Sequence, residues 1–171
     1  MKKFFSPTLL FLMLALGAAQ YCVKPPDYPK EPVIEFMGLS KNILQQGKAK
    51  GDSLSISFFY TDGDGDLGFP DNEPTASVFV RDDRDSFSKF EYQLPYVEPQ
   101  GASNGISGEI SIVVPTSCCI FVTDLGYKLA CDNVPPFFQF DTLNYFIKIR
   151  DRAGHMSNEI KAGPITLRCH Q

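Results

Sequence analysis

From residue 33 onward, apolar and polar residues alternate with the two-residue period of half-buried strands. Val33-Ile34-Glu35-Phe36-Met37 is a first candidate strand. Leu54 to Tyr60 is the cleanest, with Leu54, Ile56, Phe58 and Tyr60 on one face. Residues 77–81, 90–94 and 110–114 follow, Leu143 to Ile149 alternates through Tyr145, Ile147 and Ile149, and Ile165-Thr166-Leu167 closes the series. Gly, Pro, Asn and Asp punctuate nearly every gap, as turns require. Leu39 to Lys50 comes nearest to a helical stripe, but Gly47 and Lys48 weaken it. The pattern predicts an all-β domain of about seven strands, in the arrangement of an antiparallel β-sandwich.

The last strand candidates carry a further pattern. Residues 145–158 read Tyr-Phe-Ile-Lys-Ile-Arg-Asp-Arg-Ala-Gly-His-Met-Ser-Asn. This run resembles the closing hairpin of bacterial immunoglobulin-like and fibronectin-like modules, commonly Tyr-x-Val-x-Val-x-Asp-x-Ala-Gly-Asn-x-Ser, with His155 in place of the usual Asn. The resemblance covers 14 of the 150 residues beyond residue 21 and implies an immunoglobulin-like fold. It also implies that Tyr145 is the corner tyrosine hydrogen-bonded back to the chain, and that Gly154 supplies a positive φ in the turn. A fold of this kind implies no activity by itself.

The region before the strands has a different character. Met1-Lys2-Lys3 is a short basic start, Phe4 to Ala19 is apolar apart from Ser6, Pro7 and Thr8, and Gly17-Ala18-Ala19 are small. That is the layout of a secretory signal, expected over residues 1–21, and the apolar run is short for a retained membrane helix. Cleavage before Gln20 is one reading. The other places it before Cys22, which resembles the lipid-modified cysteine of bacterial lipoproteins, although Tyr21 departs from the small residue that family has there. Residues 22–32 carry Pro25, Pro26, Pro29 and Pro32 and read as an extended tether, leaving 33–171 as the domain. The expected location is therefore the cell envelope, anchored by lipid to the outer membrane.

Removing residues 1–21 takes Lys2 and Lys3 from the 16 basic residues and leaves all 20 acidic ones, a net charge near −6. An acidic chain without clustered Lys and Arg is a poor nucleic-acid partner.

One local run carries metal chemistry. Asp62-Gly63-Asp64-Gly65-Asp66-Leu67-Gly68-Phe69-Pro70-Asp71-Asn72-Glu73 places aspartates at alternate positions and Glu73 at the twelfth. Hard Ca²⁺ takes six to eight oxygens, so Asp62, Asp64, Asp66 and Glu73, with the Gly68 carbonyl, form a candidate ligand set. Leu67 stands where an EF-hand needs glycine. The run instead resembles the Asp-rich loops of bacterial cadherin-like modules, which implies calcium; an exposed acidic turn is the plain alternative. Asp82, Asp83 and Asp85, set among Arg81 and Arg84, read as a solvated hairpin loop that could add to the same site.

With Cys22 assigned to lipid, Cys118, Cys119, Cys131 and Cys169 remain, an even set that predicts two disulfides with three possible connectivities. Neighbouring Cys118 and Cys119 point to opposite sides of an extended segment, so one is expected to close a local loop to Cys131 and the other to reach Cys169. A zinc site is the weaker reading, since no CxxC or paired histidines occur.

Catalytic patterns are missing from the sequence. His155 and His170 are the only histidines, and no G-x-S-x-G, H-E-x-x-H or phosphate-loop motif is present. Tyr127, Phe137, Phe138 and Phe140 cluster near the cysteines, as core or as a binding platform. The expected function is a non-enzymatic envelope module that binds or supports an unidentified protein or glycan. The alternative is an accessory carbohydrate-binding protein of a glycan-uptake system, which an exposed aromatic pair beside the disulfides would favour.

Overall fold

The computed structural model describes residues 27–48, 51–84, 88–98 and 105–170. Ten strands follow in order: β1 Val33–Leu39, β2 Ile43–Gln45, β3 Ser53–Asp62, β4 Val78–Asp82, β5 Ser88–Tyr92, β6 Ile106–Pro115, β7 Ile120–Val122, β8 Lys128–Ala130, β9 Phe140–Ile149 and β10 Ile160–Arg168. All seven predicted strands are present. The three additional ones are only three residues long, too short for an alternating pattern to mark them.

The strands form a three-stranded sheet, β1-β3-β6, a five-stranded sheet, β2-β10-β9-β4-β5, and a β7-β8 hairpin. The two larger sheets form a β-sandwich. Its core is built from alternate residues: Leu54, Ile56 and Phe58 of β3 and Leu143, Tyr145, Ile147 and Ile149 of β9 are at most 2% exposed. Alternation by two puts these side chains on one face of each strand, and burying that face supplies most of the stabilisation.

Residues 39–48 form no helix, in keeping with the weakness of the stripe: β2 lies parallel to the end of β10, pairing Ile43 with Thr166 and Leu44 with Leu167. The free edge of β10 offers backbone partners that a short amphipathic stretch cannot match alone, and Leu44 is fully buried against it. The sandwich is accordingly not wholly antiparallel. Tyr145 is fully buried, edge-on to Phe90 at 6.3 Å, but its hydroxyl makes no hydrogen bond, so the corner-tyrosine contact is not formed. Gly154 does adopt a positive φ, 95°.

Of the acidic residues expected in a solvated loop at the end of β4, Asp83 is exposed but Asp82 is not. Asp82 is fully buried and accepts two hydrogen bonds from the Arg84 guanidinium, which also pairs with Asp141. Asp83 accepts from the backbone and side chain of Asn144. Asp85 and Cys22, with the whole of residues 1–21, lie outside the described residues. The final part of the expected tether is docked: the Pro29 carbonyl accepts the Gly63 N–H at 2.8 Å, and a Cβ on Gly63 would meet the Tyr28 carbonyl at 2.3 Å.

Cys118 pairs with Cys131 and Cys119 with Cys169. The second bridge joins the segment leaving β6 to the segment leaving β10, and so ties one large sheet to the other.

Candidate metal centre

Asp62 ends β3, continuing the inward face of Leu54, Ile56, Phe58 and Tyr60 by one more step of two. It is fully buried for that reason. Asp151 stands in the same relation to β9, two residues beyond Ile149, and is also fully buried. Between them the loop after β3 turns tightly, with Gly65 at φ 68° and Gly68 at φ 73°. A Cβ at Gly68 would lie 1.8 Å from the Pro95 carbonyl, so only glycine fits that close approach.

One oxygen each from Asp62, Asp64, Asp66 and Asp151 lies within 4.8 Å of the other three. Asp62 Oδ2 accepts the Asp66 N–H at 2.9 Å, and Asp66 Oδ2 accepts the Ala153 N–H at 2.9 Å. Their second oxygens, Asp62 Oδ1 and Asp66 Oδ1, are buried without a hydrogen-bond partner. Leaving a buried carboxylate oxygen unsatisfied costs free energy that a bound cation would return. Both Asp151 oxygens accept from His155, the backbone N–H and ring Nδ1 each at 2.8 Å, which fixes the carboxylate in the turn. Arg152 clamps the loop from outside: its guanidinium donates to the carbonyls of Leu67, Gly68 and Val97 and stacks 4.6 Å over Tyr96.

Sequence reasoning placed Asp62, Asp64 and Asp66 together, and the structure does the same. It adds Asp151 and leaves out two others. The Gly68 carbonyl is taken by Arg152. Glu73 sits exposed in the turn beyond Pro70, its backbone N–H on the Pro70 carbonyl, because Leu67 and Phe69 insert into the core and carry the chain away from the aspartates. The donors are all carboxylate oxygens, the chemistry of a hard divalent cation such as Ca²⁺, with water completing the shell; thiolate or imidazole preference plays no part.

No family model matches this chain, and neither a curated protein nor a solved structure does. Its site therefore has to be read from its own geometry.

Electrostatics makes the metal-free site uncomfortable. Burial pushes the Asp62 carboxyl up to about 7, and the charges of Asp64, Asp66 and Asp151 act in the same direction. Asp66 is raised too, first by burial and then by Asp151. Both groups bind protons more tightly when folded than when unfolded, so the stability they contribute is full below their ordinary carboxyl range. It is lost as pH rises through their raised folded values, about 7 for Asp62. His155, raised by its hydrogen bond to Asp151, has the same sign. In chelator, the melting temperature is expected to rise between pH 8 and pH 5, and saturating calcium is expected to flatten that dependence. A melt series at four pH values measures both; a chelated protein that loses stability over this interval would contradict the assignment.

Proposed function

We propose that this chain is an exported, lipid-anchored envelope protein whose immunoglobulin-like β-sandwich serves binding or support rather than catalysis, with Ca²⁺ stapling its two sheets. The observation that carries the reading is the pair of orphaned oxygens on Asp62 and Asp66 within a four-aspartate cluster. Asp62 belongs to the three-stranded sheet and Asp151 follows a strand of the five-stranded one, so an ion held by both joins the layers. The Cys119–Cys169 bridge joins them at the other end, beyond the last residue of β10.

Calorimetric titration of the chelator-stripped protein is expected to show one Ca²⁺ per chain, with Kd of roughly 10⁻⁴ to 10⁻³ M as for extracellular modules. Mg²⁺ is expected to compete poorly, since it resists giving up its waters. No heat from Ca²⁺ that is lost on changing Asp62 to Asn would sink the reading. Lipidation is tested separately: Cys22→Ser is expected to move the protein from the membrane pellet to the soluble fraction. A wild type already soluble with Gln20 at its start would exclude the anchor.

A second reading, accessory carbohydrate binding, has an observation of its own. Tyr127, Phe137 and Phe140 are 67%, 74% and 60% exposed near the disulfide segment, and Phe137 and Phe138 both stand edge-on to Phe121, at 5.6 Å and 5.2 Å. Large exposed rings beside a rigid, cross-linked segment suit a flat ligand such as a sugar.

A further inference from the structure

The outer faces of the two large sheets differ sharply in charge. β1, β3 and β6 contain no Lys or Arg at all, and Glu35 and Glu109 flank Phe59 across that sheet. The five-stranded sheet is the reverse. Along β9 the outward positions are Phe140, Thr142, Asn144, Phe146 and Lys148, followed by Arg150. Phe146 lies opposite Arg81 of β4 on one side and Lys161 of β10 on the other; Lys148 lies opposite Phe79, and Phe140 opposite Arg168.

Among the described side chains, Arg81, Lys148, Arg150, Lys161 and Arg168 thus share this face with Glu91, Glu159 and, at its edge, Asp83. In a chain whose acids outnumber its bases by 20 to 16, that is a local reversal of sign. Cations and rings are also built together. The Arg81 guanidinium lies 4.4 Å over Phe146 and that of Arg150 lies 5.4 Å over Phe79. Between them runs a shallow groove of about 300 Å³, floored by Phe79, Phe146 and Met156 and edged by Arg81, Lys148 and Glu159. Glu159 pairs with Arg81 at 3.3 Å and with Lys148 at 4.0 Å, so one carboxylate holds two cations in place and the face keeps an excess of positive charge.

We propose that this face, centred on Arg81, Phe146, Lys148 and Lys161, binds an extended acidic glycan, carboxylates on the cations and sugar rings on the aromatic floor. Arg81 and Lys161 flank Phe146 on strands two spacings apart, about 10 Å, so successive acidic groups of one polymer can be met along the sheet. A guanidinium fork suits a carboxylate, and one already stacked on a ring loses little freedom on binding it. A lipid surface fits less well, because Phe79 and Phe146 each carry a guanidinium on one side and open only into the groove, where a sugar can pack on them but where they cannot insert as wedges. The inference takes the glycan-binding reading to a ligand class. It rests on this sheet alone, so its failure leaves the calcium reading untouched.

The test uses the mature chain in millimolar calcium and a fluorescent hyaluronan decasaccharide as probe, followed by anisotropy. Saturable binding is expected at about 50 mM salt, weakened about tenfold or more at about 300 mM as exposed charges are screened. The fully methyl-esterified decasaccharide, with the same rings and no charge, is expected not to bind. Lys148→Glu with Lys161→Glu is expected to weaken binding about tenfold or more at an unchanged circular-dichroism spectrum. Lys148→Ala with Lys161→Ala serves if the reversal misfolds, and Val113→Ser on the opposite sheet is expected to change nothing. No saturable binding, equal binding of the ester, or a double variant that binds like wild type would overturn the proposal. So would preference for phosphatidylglycerol vesicles or a thymidine oligonucleotide over the glycan.

Discussion

Withdrawing calcium is expected to lower the melting temperature by about 10 °C. Binding only the native state stabilises it by RT ln(1 + [L]/Kd), about 2.7 kcal/mol at the hundredfold excess that about 10 mM calcium gives over a Kd of about 10⁻⁴ M. A domain of this size shifts its midpoint by roughly 3–5 °C per kcal/mol. The same geometry predicts a second, less intuitive result. Asp62→Asn replaces a buried carboxylate, whose Oδ1 has no partner, with a neutral amide of similar shape. In chelator that variant is expected to melt above the wild type at pH 8, because the cost of burying the charge disappears. In calcium it is expected to melt below the wild type, because the ligand is gone. Asp64→Asn leaves the buried pair in place, so it is expected to weaken the calcium response with little change in chelator. Melts in about 10 mM calcium and in chelator decide the matter. A wild type indifferent to calcium up to about ten millimolar would return the loop to an ordinary acidic turn.

The second large effect concerns the two disulfides, which differ in span and in burial. Cys119–Cys169 closes a separation of 50 residues, with both cysteines no more than 1% exposed. Cys118–Cys131 closes 13, its cysteines are half-exposed, and Cys131 holds a left-handed φ of 54° that costs a non-glycine residue about 1 kcal/mol. On the chain-entropy account the long bridge contributes about 4 kcal/mol and the short one about 3 kcal/mol. Alkylation without reductant is expected to label none of the four. Mild reductant under native conditions is expected to expose Cys118 and Cys131 first, with Cys119 and Cys169 protected until the sandwich opens. Urea melts of Cys119→Ala/Cys169→Ala and Cys118→Ala/Cys131→Ala, read against wild type, should rank in that order. Simultaneous labelling of all four thiols would show that the buried bridge does not lock the two sheets.

The contrast between these two sites bears on how much of the molecule could be read beforehand. Four cysteines allow three connectivities, and the opposite directions of neighbouring Cys118 and Cys119 still leave two of them open in the sequence. Only the packing of the β6 exit against the β10 exit places Cys119 beside Cys169. In the aspartate cluster, Asp62, Asp64 and Asp66 are neighbours along the chain and announce themselves. Asp151 does not, although a signal was present. Both Asp62 and Asp151 continue the inward alternation of a core strand, and a carboxylate on a core face needs a partner. Reading alternation past the last apolar residue would have found them as a pair.

What the sequence determined by itself is what short-range physics controls. Two-residue alternation marked every strand of five or more residues, since one face of each must be buried whatever its neighbours are. The Asp-Gly run marked the turn that gathers three carboxylates. Only tertiary structure decided which strands are neighbours, and hence that Asp151 completes the cluster while Glu73, eleven residues from Asp62, stays in solvent. Leu67 and Phe69 gain more by entering the core than an extended loop gains by wrapping an ion. The same holds for β2, whose three residues have little preference of their own and become a strand because β10 offers an edge. Contacts across the sandwich join residues far apart in the chain, and no local pattern records which of them will meet.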